Sequence, residues 1–121
     1  MSRAVADVLD RRVLDDLSES VGGDQAFIAE LIDELLADAP RQIATLREAV
    51  AGGDGETTRR AAHTLKGNGR TFGATQLASL CQELEAAAAN GELGAASQQV
   101  AEISDEWERV RVALVAERDG A

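Results

Sequence analysis

Between Leu93 and Leu114 the apolar residues Leu93, Ala96, Val100, Ile103, Trp107, Val110 and Leu114 recur at spacings of three and four without a miss. That period returns side chains to one face of an α-helix and fits no strand, so the segment reads as a long helix with a single buried stripe. A helix of this kind cannot bury its stripe alone. The rest of the chain supplies partners, because glycines at Gly22-Gly23, at Gly52-Gly53 with Gly55, at Gly67/Gly69/Gly73, and at Gly91 with Gly94 cut it into helix-length pieces. Only Phe27, Phe72 and Trp107 are aromatic, and one proline stands among long Ala/Leu/Glu/Arg stretches. That composition argues against a sheet-based core and for helices.

The pieces can be placed in order. Residues 7 to 21 carry Leu9, Val13, Leu17 and Val21 four apart, a short amphipathic helix ending at Gly22. A second helix opens after Asp24, a suitable N-cap, with Phe27, Ile28, Leu31, Ile32, Leu35 and Leu36 forming a stripe wide enough for burial on two sides. Asp38-Ala39-Pro40 reads as a cap with a first-turn proline, opening a third helix with Ile43, Leu46 and Val50, unless the second continues through a kink. Asp54 caps a fourth helix running to about Arg70, and residues 74 to 90 form a fifth with Leu77, Leu80, Cys81 and Leu84 on one face. The expected fold is all-α: an antiparallel four-helix bundle from the last four long segments, with short N-terminal helices capping or extending it. With 121 residues the chain is expected to form one domain, residues 1–121.

Charge narrows the partners. Twelve basic against twenty-two acidic residues give −10, which disfavours nucleic acid and anionic membrane surfaces. The single Cys81 permits no internal disulfide and too few thiolates for structural zinc, so a reducing compartment is expected. Arg3, Asp7 and Asp10 interrupt the first ten residues, and no apolar run reaches bilayer length. These features predict a cytoplasmic protein without a leader.

The one lysine, Lys66, lies three residues after the one histidine, His63. On a helical wheel Lys66, Gly67 and Arg70 lie within about 60° of His63, whereas Ala61, Leu65 and Phe72 lie about 160–200° away on the core side. His63 is therefore expected to face solvent. The ordinary readings stand beside the functional ones: a lone histidine is commonly a core or capping residue, Gly67 or Gly69 would serve as a helix C-cap, and Lys66 would be a solvated charge. Against them stands a local imbalance, since Thr57 to Gln82 contains Arg59, Arg60, Lys66 and Arg70 and no acid. A basic island of +4 centred on an accessible imidazole, on a chain whose remaining residues sum to 8 minus 22, or −14, suits a phosphoryl group or an acidic partner site.

The stretch AAHTLKGNGRTFGATQLASLCQELE, Ala61 to Glu85, resembles the histidine-containing phosphotransfer (HPt) family, whose motif runs H-x-L-K-G, a short gap, G-A, a leucine and then C-x-x-L-E. His63, Leu65, Lys66, Gly67, Gly73, Ala74, Leu77, Cys81, Leu84 and Glu85 occupy its fixed positions, while Asn68 and Gly69 depart from the usual serine and alanine or serine. The resemblance implies a phosphorelay carrier. His63 would take a phosphoryl group from the aspartyl phosphate of one receiver domain and pass it to the aspartate of another. Lys66 would balance the added charge. Glu85 would hold one imidazole nitrogen and leave the other free, or else be a plain surface carboxylate. Implied partners are response-regulator receivers and a hybrid sensor histidine kinase, which meet a monomer at Arg59, Lys66, Gly67 and Arg70 and at first-helix apolar side chains such as Leu14. No cofactor or metal is expected on this chain, magnesium being brought by the receiver.

Other chemistries fit worse. There is no Walker motif, and GNGRTFG at 67–73 misses the G-x-G-x-x-G spacing and follows a helix, so an ATP-dependent kinase is not expected. A di-iron bundle needs Glu-x-x-His, and position 60 is Arg60. Cys81 lies on an apolar stripe and reads as packing, not as a nucleophile. The alternative kept open is an HPt-like adaptor that binds a kinase or receiver without carrying phosphate.

Overall fold

In the computed structural model, which describes the backbone of residues 5–120 and side chains from residue 7, six helices follow one another. They are α1 (Val5–Val8), α2 (Arg11–Ser20), α3 (Gln25–Ala51), α4 (Gly55–Thr71), α5 (Thr75–Ala89) and α6 (Ala96–Arg118). Arg3, part of the argument against a leader, lies outside the described residues. Helices α3 to α6 form the expected antiparallel bundle: α4 packs on α3 and α5, and α6 closes the ring against both α3 and α5. Its core runs through Ile32, Leu46, Leu65, Leu77, Leu84, Ile103, Val110 and Leu114, all fully buried. At about 1.5–3 kcal/mol for each large aliphatic side chain removed from water, this stripe-on-stripe burial outweighs local propensity.

One open alternative is decided and two expectations are corrected. Pro40 does not open a new helix, because α3 runs unbroken from Gln25 to Ala51 with Pro40 on its exposed side. The proline removes one backbone donor, but Ala39 and Ile43 on either side of it are buried, and that packing holds the helix together. The first helix, expected over 7 to 21, is broken at Leu9-Asp10. The Asp10 N–H leaves the helical pattern to donate to the Gly73 carbonyl at 2.8 Å, while the Asp10 side chain caps α2 by accepting from the Arg12 N–H at 2.9 Å. Leu14 is 5% exposed and belongs to the core, not to a docking surface. Leu9, Leu17 and Val21 of the expected stripe do pack on the core, and Leu14 joins them there.

The turn between α4 and α5 explains part of the glycine pattern. Neither Gly67 nor Gly69 ends α4. Phe72 is the C-cap, Gly73 follows with φ +73°, the Ala74 N–H donates to Gly69 O at 2.8 Å, and the Gly73 N–H donates to Arg70 O at 3.2 Å. This is a Schellman ending, whose left-handed residue is at Gly73. The C-terminal end of α6 is tied across the bundle by a bidentate Arg11–Glu117 pair, both bonds 2.8 Å, and by Arg118 to Asp33 at 2.9 Å.

Candidate functional site

His63 sits midway along α4, on the face turned away from Ala61, Ala62 and Leu65, which are buried. Its side chain is 63% exposed. The adjacent α5 brings Glu85 beside it, and His63 Nδ1 lies 2.8 Å from Glu85 Oε2. The other Glu85 oxygen, Oε1, accepts from Lys66 Nζ at 2.5 Å, and Lys66 also donates to Gln82 Oε1 at 3.0 Å. Both α5 partners come from one face, since Gln82 and Glu85 are three residues apart.

Lys66 is therefore not an open surface charge. Its side chain is only 11% exposed and lies in the seam between α4 and α5, with the ammonium bonded to the same carboxylate that His63 faces. The wheel placed it about 60° from His63, and α5 occupies that side. Two of its three N–H donors are used, which leaves one for an incoming acceptor. Gln82 was not singled out from the sequence, although its position one turn before Glu85 was the available signal.

The charge on Glu85 selects the tautomer of the neutral ring. The Lys66 ammonium holds the Glu85 carboxyl below the ordinary carboxylate range; burial opposes this, and the bond from His63 adds to it. As a carboxylate Glu85 can only accept, so in the neutral ring Nδ1 carries the proton and Nε2 keeps its lone pair toward solvent. Because the folded pKa of Glu85 lies below the unfolded value of about 4.3, its contribution to stability is complete above that pH and is lost as pH falls through the folded pKa. Urea midpoints should therefore lose less between pH 5 and pH 3 in Glu85→Gln than in wild type. Equal slopes would mean that the network adds nothing to folding.

The other predicted docking residues are distributed unevenly. Gly67 and Arg70 are exposed on the His63 face, and a Cβ added at Gly67 would meet nothing within 4 Å. Gly67 is thus neither a cap nor a packing device. Arg59 is half-buried and bonded to Glu56 at 2.7 Å, with Arg60 3.7 Å from the same carboxylate, so Glu56, just before the acid-free stretch, offsets part of the basic island. Arg70 makes no ion pair among the described residues. Cys81 is buried, and burial pushes its thiol up to about 12, which suits packing and not nucleophilic chemistry. No group of three or more His, Cys, Asp or Glu placed to hold a metal occurs among the described residues, and no helix there is long and apolar enough to cross a membrane.

A four-helix bundle with an accessible, tautomer-fixed imidazole at mid-helix defines a class of protein that presents a histidine to a partner. The Hpt domain model matches residues 30–113, and the chain belongs to that family. It is similar to histidine-containing phosphotransfer protein B (HptB) from Pseudomonas aeruginosa PAO1, whose crystal structure superimposes with a TM-score of 0.88 at 33% identity over 96% of this chain and 98% of that one. No curated protein matches the sequence significantly.

Proposed function

We propose that the chain is a phosphorelay carrier in which His63 accepts a phosphoryl group from a receiver's aspartyl phosphate and returns it to the aspartate of another receiver. The observation that carries this reading is the Nδ1–Glu85 bond, which leaves Nε2 as an exposed nucleophile. Nε2 donates its lone pair to phosphorus, the bond between phosphorus and the aspartyl oxygen breaks, and that electron pair leaves with the carboxylate. The ring gains positive charge as it attacks, and the Glu85 carboxylate facing its N–H stabilises that charge in place. The remaining Lys66 donor meets a phosphoryl oxygen. Return of the group reverses each step. Magnesium and the acidic pocket come with the receiver, and the chain has no ATPase or kinase activity of its own.

Family membership supports the carrier role, and retention of both His63 and Lys66 favours it over an adaptor that carries no phosphate. Incubation with phosphorylated receivers encoded in the same genome should yield acid-labile, base-stable label on this protein. Failure with every receiver would leave the adaptor reading.

Two substitutions separate chemistry from docking. Lys66→Ala should slow transfer at saturating receiver and also destabilise the bundle by about 1–3 kcal/mol, since it strips a mostly buried carboxylate of its partner. A solvated lysine would cost little stability; burial in the α4–α5 seam raises the cost. Wild-type transfer rates in this variant would assign Lys66 to structure alone. Gly67→Gln should leave the fold intact or stabilise it by up to about 1 kcal/mol through helix propensity. It should nevertheless block transfer, because the new side chain stands one turn from His63 where the receiver must approach. Unimpaired transfer would remove Gly67 from the docking face.

A further inference from the structure

The face of α3 nearest α4 carries a feature that the carrier chemistry does not use. Between the two helices lies a cleft of about 280 Å³ lined by Leu31, Glu34, Leu35, Asp38, Asn68, Thr71 and Phe72. Leu31, Leu35 and Phe72 give it an apolar floor, and Glu34 and Asp38 put two carboxylates, one turn apart, on its α3 wall. Neither carboxylate is in an ion pair among the described residues; Asp38 has only the Gln42 amide at 3.4 Å. On the α3 wheel Leu31 and Asp38 lie within about 60° of Glu34, so the acidic wall and part of the floor belong to one face.

We infer that this cleft receives one lysine or arginine side chain of the receiver partner and acts as a selectivity pocket beside His63. The inference rests on the carrier reading above for the identity of the partner. Position and charge carry it. Asn68 and Thr71 lie about 8 and 12 Å along α4 from His63 and about 140° and 80° around it, so the cleft opens on the α3 flank of the His63 face, with Phe72 at its core end, and its mouth lies within the reach of a standard interface of about 800 Å² per partner centred on His63. That receiver brings an acidic pocket to the histidine. Two further carboxylates facing it without a cation would repel it, so a productive partner must set a positive charge opposite them. The shape selects the type of group. An aliphatic stem fits the Leu31/Leu35/Phe72 floor while its cationic head reaches the carboxylates at the mouth. The volume is at or below the roughly 300–1,000 Å³ of sites for free small molecules, which favours a single side chain over a soluble ligand. The basic residues of α4 and the acids of α3 then make a two-signed surface that fixes the orientation of docking.

The test uses a receiver that labels the wild-type protein and measures equilibrium binding and transfer separately. Glu34→Gln/Asp38→Asn should weaken receiver binding by about tenfold and flatten its salt dependence, with the limiting transfer rate unchanged. Among single Lys→Glu and Arg→Glu changes on the receiver, one should lose a similar factor against wild type and recover it against Glu34→Lys/Asp38→Lys. Unchanged binding of the neutral double variant would overturn the cleft, as would receiver losses that no charge swap restores, the result expected if an apolar side chain fills it. Should the double variant lose helicity, Glu34→Gln alone, at an exposed position, takes its place. Shifted binding without label on His63 would instead overturn the carrier reading and leave the cleft standing.

Discussion

In His63→Gln, label transfer from a phosphorylated receiver is expected to fall to background while melting stays within about 1 kcal/mol of wild type. The loss is complete because the chain has one histidine, so no second imidazole can take over. A glutamine amide has no nucleophilic lone pair comparable to that of Nε2 and cannot form a phosphoramidate that hands its group on. The stability change is small because the side chain is 63% exposed and gives up at most one hydrogen bond, to Glu85, which glutamine is long enough to replace in part. Receiver binding should persist, since the docking face is otherwise intact. Acid-labile, base-stable label in this variant would mean that His63 is not the acceptor, and a collapsed melting transition would mean that it is a structural residue.

The reach of sequence reasoning is clear in the contrast between His63 and Lys66. One helical wheel places both on the face opposite Leu65, and for His63 that suffices, since nothing packs over it. For Lys66 the same wheel cannot say that α5 lies about 60° to that side. The neighbour helix converts an apparent surface cation into a buried bridge to Gln82 and Glu85. Glu85 was legible as a candidate only through its place in the motif that resembles the HPt family; in the structure, twenty-two residues and one tight turn return the chain to the level of His63. The sequence leaves a plain surface carboxylate as the alternative; the structure puts Glu85 Oε2 2.8 Å from His63 Nδ1.

The remaining errors share a cause. The four long helices of the bundle were readable because each stripe is a local pattern repeated over many turns, and summed burial on the core side dominates every weaker signal. The breaks were open or misread where packing or a distant partner decides them. At Pro40 a new start and a continuing helix both fit the sequence, and the inward packing of Ala39 and Ile43 on either side decides for continuation. Leu9-Asp10 looked continuous because its interruption is made by a carbonyl more than sixty residues away, Gly73 O. Leu14 lies off the stripe of fours and is buried together with Leu9, Leu17 and Val21, a placement that the period alone does not give.

Gly73 is consequently where the largest loss of stability is expected. It holds φ +73°, a region that costs an L-residue about 1–2 kcal/mol. A Cβ built there would lie 2.9 Å from both the nitrogen and the oxygen of Asp10 and 3.1 Å from the Val13 Cβ. Two of those three atoms are backbone, so the clash is relieved only by moving the start of α2. That movement stretches the Asp10 N–H bond to Gly73 O and loosens the seating of Val8, Leu9 and Leu14 on the core. Together these effects put Gly73→Ala at about 3–5 kcal/mol, a large fraction of the 5–15 kcal/mol that holds a domain of this size. Gly69→Ala is the control, because its added Cβ meets only ordinary contacts of 3.5 to 3.7 Å with Ala74, Ala78 and Leu77, and helix propensity favours the change. Urea unfolding should leave the Gly69 variant within about 1 kcal/mol of wild type and shift the Gly73 variant to a much lower midpoint. Equal midpoints for the two alanine variants would show that the α4–α5 turn can reshape without disturbing α2, and the anchoring of the N-terminal helices on this turn would then be wrong.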